Sequence, residues 1–84
     1  MKTRYSHIHF SEDLEQLDPE KLTYLCPYLC RNNKSDNILG VVAYYLPWKK
    51  YEFIGEEGAG FDTSCLRDII HFMEQLAQKG AKDE

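Results

Sequence analysis

The chain has 84 residues, with 14 acidic and 10 basic side chains and a formal net charge of −4. This length fits one small domain spanning residues 1–84, and a 43% hydrophobic, 13% aromatic composition excludes a chain disordered throughout. The negative balance argues against a general nucleic-acid binder, whose phosphate contacts need a basic face.

The N-terminal residues carry no apolar run, and no stretch is long and apolar enough to span a membrane. Cys26, Cys30 and Cys65 are an odd number of cysteines beside no export signal, the pattern of reduced thiols in a cytoplasmic protein.

In chain order, residues 2–10 have strand propensity through Tyr5, Ile8 and Phe10, with Tyr5 on the face opposite the other two. Ser11 can cap a short helix over residues 12–17, with its acidic residues at the positive end of the dipole. Asp18 and Pro19 signal a second helix start, carrying Leu22, Leu25 and Cys26 until Pro27 stops it; a strand over residues 22–25 is the competing reading.

Residues 28–32 read as a strand, followed by a polar turn over residues 32–37. The strongest strand is residues 38–46, apolar on both faces and therefore expected at the centre of the sheet. Pro47 suits the second position of a turn, and residues 51–54 return as the next strand. A loop over residues 55–60 leads to the clearest helix, residues 61–80. There Asp62 caps, Leu66, Ile69, Ile70, Met73, Leu76 and Ala77 form an apolar face, and Cys65 and Phe72 widen it. Phe61 is placed to staple onto Leu66, His71 falls on the polar side, and Gly80 suits the stop, leaving residues 81–84 to fray. The expected fold class is α+β: about three antiparallel strands, the C-terminal helix packed on one face, and short N-terminal helical segments.

The expected order of helix, three strands, glycine-containing loop and helix resembles the double-stranded-RNA-binding domain in outline. Asp62, Thr63 and Ser64 stand where that family has lysines, so RNA binding does not carry over. Glu56, Glu57 and Asp62 would likewise repel phosphate from the glycine loop.

Two constellations could carry chemistry. His7 and His9, alternating on one strand face, could join Cys26 and Cys30 in a zinc-type His2Cys2 set, against the plainer reading of two core cysteines and two strand histidines. Cys65 in the first helical turn is where a dipole lowers a thiol pKa, but His71 lies on another face of the same helix and offers no base, so packing is the preferred role.

Binding surface is the better candidate. Trp48 at a hairpin tip beside Lys49 is suited to an interface anchor, and Tyr44, Tyr45 and Tyr51 offer aromatic surface on whichever sheet face the helix leaves open. The acidic stretch with Glu12, Asp13 and Glu15 could mate with a basic partner. The resulting expectation is a non-enzymatic cytoplasmic protein-binding module with no cofactor, no direct nucleic-acid contact and no membrane contact. It would regulate or inhibit a protein partner by occupying its surface. Proteins of this size and character include phage-encoded inhibitors of host nucleic-acid-binding or defence complexes. The alternatives are a small zinc-stabilised domain and a self-associating structural protein forming a homodimer.

Overall fold

The computed structural model describes residues 1–12 and 24–82. Its elements are β1 (Ile8–Glu12), β2 (Tyr24–Asn32), β3 (Ile38–Tyr45), β4 (Lys50–Gly55) and α1 (Thr63–Lys82). The strands form one antiparallel sheet in the order β1-β2-β3-β4. The fold class is α+β as expected, with four strands where about three were anticipated.

The additional strand is β1. Ile8 and Phe10 alternate inward, and Phe10 pairs with Cys30 on β2. This strand precedes the three-strand run, so the described order departs from the RNA-binding outline. Tyr5 does not oppose Ile8 and Phe10: the chain turns at Ser6 and His7, Tyr5 N–H donates to the Ile8 carbonyl at 2.8 Å, and the Tyr5 ring packs edge-on against Phe10.

The expected N-terminal helices are corrected at both ends. Glu12 closes β1, and Tyr24, Leu25 and Cys26 belong to β2; residues 13–23 lie outside the described residues. Pro27 does not stop a helix either. It sits within β2 at a register shift between Leu25 and Tyr28, and such a bulge is where a strand tolerates a missing N–H donor.

The polar turn forms as expected. Asn32 Oδ1 accepts from the N–H groups of Lys34 and Ser35, and Asn32 and Asn37 close the β2–β3 connection at 2.9 Å. β3 lies inside the sheet, between β2 and β4.

Helix α1 lies on the face carrying Phe10, Cys30 and Val42. Among its described side chains, Ile69, Phe72 and Leu76 are buried. The Phe72 ring stacks on Phe10 at 4.0 Å and meets Tyr28 edge-on at 5.3 Å. Emptying such a site costs about 3–5 kcal/mol.

One flank of the expected helix face does not pack. Leu66 is 45% exposed and Ile70 54%, and Ala77 is exposed as well. Ile69, Met73 and Leu76 pack as expected, with Cys65 and Phe72 widening that side, and the Phe72 ring lies against both Phe10 and Tyr28. Phe61 packs edge-on against Phe53 at 5.2 Å, which anchors the helix entry to β4 rather than to Leu66. The cap forms as read: Asp62 Oδ1 accepts from Cys65 N–H at 2.8 Å. Gly80 does not end the helix, which continues through Ala81 to Lys82.

Candidate functional site

The β3–β4 hairpin positions the expected anchor. Lys49 N–H donates to the Leu46 carbonyl at 3.1 Å, closing a turn with Pro47 in its second position. Lys49 adopts φ 53°, a left-handed conformation that costs a residue other than glycine about 1 kcal/mol or more.

Trp48, next to it, is 67% exposed. Its ring meets Tyr45 edge-on, with centroids 5.4 Å apart, so the indole is oriented by the sheet while most of its surface faces solvent. Leu46, Lys49 and Lys50 are exposed beside it. From Ala43 through Tyr51 the sequence holds no acidic residue, which makes the tip locally basic in a chain of net charge −4.

The tyrosines divide differently from the expectation. Tyr44 and Tyr51 are cross-strand partners whose rings meet edge-on at 5.1 Å. Two residues from Val42 and Phe53 on their strands, they share the helix-side face, and Tyr51 packs against the core. Tyr45 falls on the far face, with the exposed Ile38 and Ile54 toward the other end of the strands.

Of the acidic residues of the expected surface, Glu12 is the one described, and it lies away from the tip. Glu12 lies on β1, at the sheet edge opposite β4, and its Oε1 accepts from the Tyr28 hydroxyl at 3.4 Å. Asp13 and Glu15 lie outside the described residues.

Of the candidate metal ligands, His9 and Cys30 lie on opposite faces of the sheet. His7 is exposed ahead of β1. His9 Nδ1 lies 2.7 Å from Asn33 Oδ1, and its Nε2 is 3.4 Å from Asp36 Oδ1. Cys30 pairs with Phe10 rather than with His9, so strand alternation puts its side chain on the helix side, across the sheet from the His9 ring. The Cys26 side chain lies outside the described residues. Among the described residues no three His, Cys, Asp or Glu side chains converge on one point.

Both described thiols have raised pKa values. Burial, with a smaller contribution from nearby Cys65, pushes the Cys30 thiol up to about 12. The Cys65 thiol is also raised, first by burial and then by the Asp62 carboxylate, which overturns the lowering expected at a helix start. Asp62 itself is held below the usual carboxylate range, chiefly by the Cys65 N–H it accepts from.

One polar cluster was not anticipated. The Tyr5 hydroxyl lies 2.8 Å from His71 Nδ1 and accepts from Gln75 Nε2 at 3.2 Å. Gln75 also exchanges two 2.8 Å hydrogen bonds with the Lys2 backbone. Burial, then the Asp68 carboxylate, raises the Tyr5 hydroxyl pKa. His71, expected on the polar side of the helix, is exposed there and also helps fasten the N-terminal segment to α1. Local sequence carries no signal for that, since the partners are joined by tertiary packing.

Among the described residues no helix is long and apolar enough to cross a membrane. Comparisons with protein-family models, curated proteins and solved structures return no match.

Proposed function

We propose that this chain is a protein-binding module that regulates or inhibits a larger partner by occupying its surface, with Trp48 as the anchor. The observation that carries this reading is the exposed indole on a hairpin tip, oriented by Tyr45 and flanked by exposed Leu46 and Lys49. Large aromatic side chains presented in this way are the residue type that dominates interface energetics. Because the ring is already oriented, little side-chain freedom is lost on docking.

The test is a pull-down from native lysate, with retained proteins quantified by mass spectrometry for wild type and Trp48→Ala. The reading expects at least one protein held by wild type and depleted about ten-fold or more from the variant. Identical retention by both would remove Trp48 from the site.

A second reading is favoured by Leu66, Ile70 and Ala77, which recur at helical spacing on the exposed flank of α1. A homodimer would cover that flank. Light scattering that gives twice the 9.9 kDa chain mass, and the chain mass for Ile70→Glu, would establish it.

A further inference from the structure

We infer that the hairpin tip recognises an acidic protein segment, one that presents an apolar slot or side chain for Trp48 beside carboxylates for Lys49 and Lys50. This rests on the binding reading above and names the chemistry of the partner.

Three observations converge on it. The first is charge. Lys49 and Lys50 are exposed next to Trp48, and the sequence from Ala43 through Tyr51 holds no acidic residue. Two ammonium groups beside an exposed aromatic ring complement carboxylates that flank an apolar group.

The second is conformation. The left-handed position of this turn suits glycine or asparagine, yet Lys49 occupies it at φ 53°. Strain of this kind collects at ligand-contacting turns, and here it keeps a lysine beside the indole.

The third is mounting. The Lys49–Leu46 hydrogen bond and the Tyr45–Trp48 ring contact fix the tip relative to the sheet, so Trp48 and Lys49 are presented together.

A nucleic acid or an anionic membrane would also attract lysines beside a tryptophan. Both spread negative charge over a wide surface, and a chain of net charge −4 is repelled by such a surface beyond the tip. A short acidic segment fits the small extent of the basic tip.

The experiment uses the full chain and its single tryptophan as the reporter. Immobilised protein is panned against a random twelve-residue peptide display library. The enriched peptides are then synthesised and titrated while Trp48 emission is followed. Single-stranded oligothymidine and vesicles containing phosphatidylserine are titrated in parallel.

The expected result is enrichment of Asp and Glu around an aliphatic or aromatic residue, with a blue shift of Trp48 emission on binding. Lys49→Ser/Lys50→Ser, which keeps the indole, should weaken binding about three- to ten-fold at low salt and flatten its salt dependence. Enriched peptides that shift Trp48 but are neutral or basic would overturn the acidic-partner inference and leave the anchor standing. Enriched peptides that bind without shifting Trp48 would overturn the inference and the anchor together, as would recovery of no peptide. A Trp48 shift with oligothymidine or vesicles, and none with acidic peptides, would overturn the inference in favour of that ligand.

Discussion

Gly40→Ala should destabilise the protein even though alanine is the better residue for a strand. A Cβ at Gly40 would lie 2.5 Å from Phe53 Cζ, 2.8 Å from Phe53 Cε1 and 2.8 Å from the Ile54 carbonyl oxygen. The ring could swing aside, but the carbonyl belongs to the neighbouring strand β4 and can move only with the ladder. Gly40 has no positive φ, so the backbone tolerates alanine and the clash decides the outcome. Overpacking of this kind costs about 1–3 kcal/mol. Restricting the unfolded chain returns about 0.4–1 kcal/mol. The net loss is therefore about 1–2 kcal/mol, which for a domain of this size lowers Tm by roughly 5–15 °C. Thermal melts by circular dichroism measure it. Gly40→Ala/Phe53→Leu should recover the part owed to the ring and leave the part owed to the carbonyl, so the two substitutions will not add. A Gly40→Ala Tm equal to wild type would refute the packing of Phe53 over β3.

Other expectations concern the helix start, the core thiol and the tip. Asp62 contributes helix stability in its charged form because its pKa is lowered in the folded state. That contribution is complete above the unfolded carboxylate pKa and is lost as pH falls through the lower folded value. Asp62→Asn should keep the cap and flatten the acid limb of a melt series run from pH 7 downward, whereas Asp62→Ala should lose helicity at every pH. Cys30 should resist a thiol reagent at pH 8 until denaturant unfolds the chain, since its thiol stays protonated to about 12 and is fully buried. Lys49→Gly should leave the fold intact and raise its stability by about 0.5–1 kcal/mol in urea titrations, by relieving the left-handed lysine, while weakening the binding attributed to the tip.

The parts of the fold that were legible in the sequence are those fixed locally. Asp62 caps α1 because a carboxylate before a helix can reach its first N–H groups, and that needs no tertiary partner. The polar turn after β2 and the Pro47 turn follow from residue types with one strong backbone preference each. What was not legible depends on neighbours. Leu66, Ile69, Ile70 and Phe72 all satisfy helical periodicity. Which of them packs is decided by the Phe72 ring fitting between Phe10 and Tyr28. Pro27 reads as a helix stop until a bulge in β2 makes room for it. The thiol shift at Cys65 has the same origin: the helix start favours the thiolate, but burial and the Asp62 carboxylate act against it more strongly.

For the candidate site, Trp48 and its tip were legible because a turn between two strands places its residues at the surface. The assignment of Tyr44 and Tyr51 to the open face failed because strand phase is set by Val42 and Phe53 facing α1. The acidic residues followed from composition alone, and Glu12 lies across the sheet from the tip. The structural weight of the binding proposal therefore rests on the hairpin.

The central claim is that Trp48 anchors a protein partner. It is tested most directly by calorimetric titration of the partner recovered by pull-down, against wild type and Trp48→Ala of equal Tm. The variant should lose affinity about thirty-fold or more, the scale of an interface hot spot of about 2 kcal/mol. Equal affinity for the two proteins would contradict it.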